Sequence, residues 1–324
     1  MIRLESVGQA IVSLVILLLA TTAADAQARR PPAAASTIHF FIHGHEDDWA
    51  IFMSPAAYAA AQAGEPVVFI YGTAGDAGNS DPNYWQSREA AATAAQSVLS
   101  GQPLAASTWA CAMQSVNNHQ IQRCSYQNFT AYFMRGHDGS RNGCGYPDGN
   151  GPSLSRLMGI CGTVMPMPTV DGSTTYTTWT DFWQTLGAII NQETSAYQAS
   201  NVWTNAPDYD TAKNNGDHPD HVAVGQAVKC ALDGGGTNCS APPGTPQTWS
   251  TRWYVGYGIM TMPKNATAAE FTIKSGMYMA YDREMWDRWD SQQNCSATPC
   301  HSTICGDYAR YSDWLFRLYA RTGP

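Results

Sequence analysis

Two short clusters constrain this chain more than anything else in it. One is His43-Gly44-His45-Glu46-Asp47-Asp48, and the other is Asp217-His218-Pro219-Asp220-His221. With only 8 histidines in the whole sequence, such crowding of imidazoles and carboxylates marks a site. Neither cluster closes a metal shell alone. Together they supply two histidines and one carboxylate, the donor set of an open catalytic zinc site. The first cluster follows an apolar run at residues 38–42, broken only by His39. A strand there places residues 44–48 beyond its C-terminal edge, where α/β sheets keep their ligand sites. The second follows a short β-prone stretch at residues 202–205 and opens a helical run, His221-Val222-Ala223-Val224-Gly225-Gln226-Ala227-Val228. Both clusters can therefore meet at one sheet edge.

Neighbouring carboxylates such as Asp47 and Asp48 point different ways and suit separate duties. One can ligate metal while the other takes a proton from water. The plainer reading is that the pair caps a helix over residues 49–61, since Asp is a favoured N-cap. The downstream His-Pro-Asp-His tilts the balance towards metal.

This pair of clusters resembles the PIG-L/LmbE-like family of zinc-dependent N-acetylglucosaminyl deacetylases, whose signatures read A-H-P-D-D and H-P-D-H-x-A-V-G. The second is matched in full from His218 to Gly225. The first departs, with Gly44 for the usual alanine and Glu46 for the proline, while His45, Asp47 and Asp48 keep register. The resemblance implies zinc (or Fe²⁺) on His45, Asp48 and His221, with Asp47 as general base. It gives His218 an oxyanion-stabilising role if protonated, and gives Asp220 either an imidazole-orienting role or a helix cap. Asp138, in Arg135-Gly136-His137-Asp138-Gly139, lies where the family often grips sugar hydroxyls, although an Asp-Gly turn explains it equally well. Arg88, of the Arg88-Glu89 pair, matches a family arginine that reaches substrate. Some relatives carry a tyrosine two residues before His-Pro-Asp-His as an oxyanion donor, and here that position is Gly216.

The order of elements argues for an α/β fold, a Rossmann-like and mostly parallel sheet flanked by helices. Strands are expected at residues 37–42, 67–71, 107–116, 127–133, 202–205 and within 251–260. Helices are expected at 54–63, 85–99, 180–193, 268–281 and 308–319. Residues 139–168 form a long Gly/Pro-rich insertion carrying Cys144 and Cys161. The Gly-x-x-Gly at residues 72–75 lacks the dinucleotide fingerprint, and the resemblance places that loop beside the active site.

Residues 1–26 read as a signal peptide, with Arg3, an apolar stretch at 11–20 and the small-x-small Ala24-Asp25-Ala26. An uncleaved anchor is the competing reading, though the stretch is short for a span. Residues 27–36 read as a flexible leader, and 37–324 as a single deacetylase domain, secreted or periplasmic and without a membrane span. Cysteine usage agrees with export. Cys111–Cys124, Cys144–Cys161 and Cys230–Cys239 pair at short range. Cys295, Cys300 and Cys305 leave one thiol over, or with His301 form a zinc cluster of unfamiliar spacing. A formal net charge of −8 and no long basic run argue against nucleic acid as partner. The substrate expected is an N-acetylated sugar or glycan. The alternative is a non-catalytic glycan-binding module on the same fold, against which an intact Asp47 and His218 argue.

Overall fold

The computed structural model describes residues 34–101, 109–147, 149–234, 239, 249–292 and 311–323. Residues 1–33, with the expected signal peptide and most of the leader, lie outside these, as do Cys295, Cys300, His301 and Cys305. Ala35 and Ser36 already belong to the fold. Ala35 N–H donates to Tyr197 O, and Asn201 N–H donates to Ser36 O.

The first strand, β1 (Thr37–His43), leads into helices α1 (Asp48–Phe52) and α2 (Ser54–Gln62). Next come β2 (Val67–Thr73) and α3 (Pro82–Leu99). The strands β3 (Ala110–Val116), β4 (His119–Tyr126) and β5 (Phe129–Gly136) follow. The insertion holds a short helix, α4 (Leu154–Leu157), and a two-stranded ribbon, β6 (Met167–Pro168) and β7 (Thr175–Tyr176). Helix α5 (Trp179–Tyr197), strand β8 (Asn201–Pro207), helix α6 (Pro219–Asp233) and strand β9 (Ser250–Tyr254) continue the chain. Helix α7 (Ala268–Arg288) and strand β10 (Ala320–Thr322) end it.

The main sheet runs in the order β10-β9-β8-β1-β2-β5-β4-β3. Its centre is parallel, with β1 between β8 and β2, β5 beyond β2, and β9 beyond β8. Antiparallel strands close both edges. Central parallel strands need apolar residues on both faces, and β1 and β2 have them. Ile38, Phe40, Ile42, Val68 and Ile70 face α5 and α6, while Phe41, Val67, Phe69 and Tyr71 face the layer of α1, α2, α3 and α7. Local signals fix the helix starts. Asp81 caps α3 with Pro82 at its first position, Thr178 caps α5, and Thr267 with Glu270 forms a capping box for α7.

Two differences from the sequence expectation stand out. Strand β4 was not anticipated, yet it pairs with both β3 and β5. Its turn uses Asn117 and Asn118 at φ 48° and 67°, the positive angles of a tight hairpin. Within the described residues 311–323 the final segment is a short 3₁₀ turn, Ser312–Phe316, followed by β10, where a helix through 319 is expected; residues 308–310 lie outside the described residues. Neighbours claim the backbone there: Asn265 Nδ2–H donates to Leu318 O and Lys274 Nζ to Arg317 O. Tertiary partners thus outbid an amphipathic pattern.

All three short-range disulfides form, at Cys111–Cys124, Cys144–Cys161 and Cys230–Cys239. Among the described residues, no helix is long and apolar enough to cross a membrane.

Candidate metal centre

Because β1 and β8 are hydrogen-bonded neighbours running parallel, the loops after them share one edge of the sheet. That juxtaposition brings residues 45–48 against residues 217–221. His45 Nδ1 lies 3.0 Å from His221 Nε2. Asp48 Oδ2 lies 3.0 Å from His221 Nε2 and 3.3 Å from His45 Nδ1. All three side chains are buried.

The outer nitrogens decide where the protons sit. His221 Nδ1 is 2.8 Å from Asp217 Oδ1, and His45 Nε2 is 3.3 Å from Asp220 Oδ2. Carboxylates accept, so in the neutral rings these outer nitrogens carry the hydrogens. The two facing nitrogens are then bare lone pairs, pointed at each other and at a carboxylate oxygen. Three acceptors converging in a buried space repel unless a cation joins them. A tetrahedral site with bonds of about 2.0–2.1 Å holds its donors roughly 3.3 Å apart, close to the triangle seen here. His45, Asp48 and His221 therefore fit a divalent metal. The electrostatics agree. Burial resists a charge on His221, but Asp217 and Asp48 outweigh it and push its pKa up to about 10. Burial likewise resists protonation of His45, and Asp48 with Asp220 overrides it, holding the ring well above the usual range. For Asp48 the cost of burial is overcome by His221 and His45, which hold it well below the usual carboxylate range. The cluster draws in positive charge.

Glycines make the room. A Cβ on Gly44 would stand 2.7 Å from His221 Cδ2, and one on Gly256 would stand 2.2 Å from Asp217 Oδ1. Asp217, to which the sequence reading gave no role, is the anchor of the second cluster. Its Oδ1 also accepts from the backbone N–H of His218 and Tyr257, at 2.8 Å each, and its Oδ2 accepts from Asn214 Nδ2–H at 2.6 Å. The signal available was its i, i+4 spacing to His221 on a helix start.

Asp47 occupies the N-cap position of α1, but its side chain makes no capping hydrogen bond. Its Oδ1 accepts from Arg88 Nη2–H at 3.0 Å instead. An oxygen of its carboxylate also lies within 4.8 Å of donor atoms of His45 and Asp48. Arg88 sits in the second turn of α3, buried, with Nε–H donating to Glu46 Oε2 at 3.0 Å. Burial pushes the Glu46 carboxyl up to about 8, although Arg88 draws it back down. His218 caps α6, its Nδ1 accepting from Asp220 N–H at 3.3 Å. The cap is thus made by His218, and Asp220 Oδ2 lies 3.3 Å from His45 Nε2 and also accepts from Gly139 N–H at 2.8 Å. Burial first, and His45 second, lower the His218 pKa, so a neutral ring with its hydrogen on Nε2 is favoured. Asp138, after β5, brings its carboxylate to 3.7 Å from His45 Nε2 and 3.9 Å from His218 Nε2. It also accepts from Ser140 N–H at 2.7 Å, so the Asp-Gly turn and the site position coexist. Gly216 has φ +80°, a backbone that a tyrosine adopts only with strain, which accounts for the missing hydroxyl. Tyr257 packs edge-on against His221, centroids 4.9 Å apart, with Trp314 behind it at 4.4 Å.

The two histidine–aspartate loops thus meet at the C-terminal edge of a parallel sheet with the donor set of an open metal site. Residues 40–232 match the family described as PIG-L, GlcNAc-PI de-N-acetylase, and the chain belongs to that family. Similar solved structures include N,N'-diacetylchitobiose deacetylase from Pyrococcus horikoshii, at 14% identity and TM-score 0.42, covering 90% of this chain and 84% of that one. A deacetylase of teicoplanin biosynthesis aligns at 14% identity and TM-score 0.40, over 80% of this chain and 93% of that one. GalB, a 4-carboxy-2-hydroxymuconate hydratase from Pseudomonas putida, aligns at 12% identity and TM-score 0.33, over 83% and 93%. A search of curated protein sequences returns no match.

Proposed function

We propose that this chain is a secreted, metal-dependent hydrolase that removes an N-acetyl or related N-acyl group from a glucosamine-containing sugar or glycan. The convergence of His45 Nδ1, His221 Nε2 and Asp48 Oδ2, with separations of 3.0–3.3 Å, carries the reading. A divalent metal on these donors supplies Lewis acidity, which makes water nucleophilic near neutral pH. Zinc suits the set, and Fe²⁺ is also accommodated. Asp47 takes a proton as water attacks the amide carbon. The carbon–nitrogen bond then breaks, and Asp47 returns the proton to the departing amine, leaving an acid and an amino sugar. His218 donates from Nε2 to the developing oxyanion, an interaction worth roughly 3 kcal/mol in other hydrolases. A neutral imidazole donates this bond too, though less strongly than a charged one, so no protonated His218 is required. Asp220 and Asp217 fix the two ligand rings. Asp138 accepts from sugar hydroxyls, and Arg88 acts on the substrate through Asp47.

The family description supports an N-acetylglucosaminyl substrate. Three disulfides support an oxidising compartment, so the substrate is a glycan or exported glycoside. The test is to purify the chain, quantify its metal, and measure acetate release from N-acetylglucosamine oligomers with and without a chelator. Chelator-sensitive release is the expected result. A chain that binds no metal would sink the reading and bring forward a glycan-binding module.

A further inference from the structure

Glu46 stands where the family signature carries proline, and the deacetylation scheme above gives it no task. Its side chain is fully buried, a costly place for a carboxyl group. The geometry explains what holds it there. One guanidinium takes both members of a consecutive acidic pair: Arg88 Nε–H donates to Glu46 Oε2 and Nη2–H to Asp47 Oδ1, each at 3.0 Å. The fork is confined from other sides as well. A Cβ on Gly75 would fall 2.6 Å from Arg88 Nε and 2.8 Å from Nη2, so the loop after β2 approaches the guanidinium with bare backbone. The Tyr281 ring centre lies 5.9 Å from Arg88 Cζ. A proline at 46 would offer no acceptor, and Nε would lose this partner. The guanidinium would then hold Asp47 through one hydrogen bond with no second acceptor to set its angle.

We propose that Glu46 is a positioning residue for the general base. By fixing Arg88 it fixes Asp47 Oδ1 in a hydrogen bond and leaves Oδ2, which bonds to no other described residue, as the oxygen that receives the proton. The inference rests on Asp47 being the base. It makes Glu46, Arg88 and Gly75 one device, with Gly75 present because the fork needs its space and not because the loop binds a phosphate.

The experiment compares the metal-loaded full chain with Glu46→Met, Arg88→Lys, Asp47→Asn and the Glu46→Met/Asp47→Asn double variant, following acetate release. Glu46→Met keeps the length of the side chain and offers Arg88 Nε no oxygen acceptor, while folding and metal content stay unchanged. Its kcat falls about 10–100-fold, the range of lost outer-shell partners, with KM within about twofold. Arg88→Lys, which cannot make two bonds in a fixed fork, behaves the same way. The double variant is no slower than Asp47→Asn alone, because Glu46 acts only through Asp47. Losses that multiply in the double variant, or that fall on KM, overturn the proposal. If the parent chain hydrolyses no N-acyl sugar, the base assignment fails separately. Crystal structures of the parent and Glu46→Met then decide the positioning claim: a displaced Asp47 carboxylate supports it, and an unmoved one overturns it.

Discussion

Two clusters of acidic side chains among the described residues are built on opposite plans. Around Arg135 the chain supplies its own cation. The guanidinium donates from Nε and Nη2 to the two oxygens of Glu89 at 2.6 and 2.8 Å, and from Nη1 to Asp171 at 2.7 Å. It also lies over the Trp85 ring, 4.7 Å from the centre. At the edge of β1 and β8 the plan is reversed. Arg88 is spent on Glu46 and Asp47, so among the described residues Asp48 pairs with two imidazoles and with no arginine or lysine, and a metal can take the place of their protons. Buried carboxylates alone therefore identify nothing. What separates a structural ion cluster from a metal centre is whether the chain has already closed the charge balance.

The sharpest way to break this comparison is His221→Ala. Removing one corner of the donor triangle is expected to take bound metal from about one per chain to background, with loss of turnover, measured by elemental analysis and acetate release. A His221→Ala chain that keeps its metal would show that the triangle is not the site. Asp47→Asn should keep the metal and lose kcat by roughly 10²–10⁴-fold, the usual share of a general base. Near-native turnover in that variant would remove Asp47 from the mechanism. Arg135→Met probes the other cluster. It leaves Glu89 and Asp171 without their cation, and should cost about 3–5 kcal/mol of stability by denaturant midpoint while metal content is unchanged. Loss of metal in Arg135→Met would mean that the two clusters are not independent.

The smallest effect is a pH slope. In the metal-free chain His221 titrates at about 10 when folded against 6.5 for an unperturbed histidine. A raised folded pKa means stability that is complete below about 6.5 and lost as pH climbs through about 10, at most roughly 1.4 kcal/mol per pH unit. Lys274 acts in the opposite sense. Burial lowers it from 10.5 to about 7, so its penalty is full below 7 and is relieved between 7 and 10.5. The two overlap, and Lys274→Met leaves the slope of the ligand histidines, to which His45, also raised, adds in the same sense. Melting temperature against pH, with and without chelator, should show that slope only when metal is removed. An identical slope in both forms would contradict a metal on His221.

The parts of the site that were legible in the sequence are those encoded in neighbours along the chain. His45, Asp48, His218 and His221 sit within a few residues of strand or helix ends, and their meeting needs only that β1 and β8 be adjacent. Asp217 bonds Asn214, His218 and His221 within four residues along the chain, and only its Tyr257 N–H comes from a segment that joins it in the folded chain. Trp314 behind Tyr257 is likewise brought in by the fold alone. In the fold, the buried strands β1 and β2 announce themselves as apolar runs, and α5 by Phe182, Leu186 and Ile189 at helical spacing. Strand β4 carries polar residues on an edge hairpin, His119-Gln120-Ile121-Gln122-Arg123, so no apolar run betrays it. Its Asn117-Asn118 turn was the readable mark. The final segment misled because its pattern suits a helix while its backbone partners lie on Asn265 and Lys274.

The polarity of the central sheet has a practical consequence. Every chemistry-bearing loop leaves a strand at the C-terminal edge, while the other edge is made of turns near Gly64, Gln127 and Gln198, all exposed. These turns join elements without touching the metal centre. A single cysteine or short fusion placed at one of them would anchor the protein to a solid support with its reactive rim facing the liquid, accessible to a polymer too large to enter a porous bead.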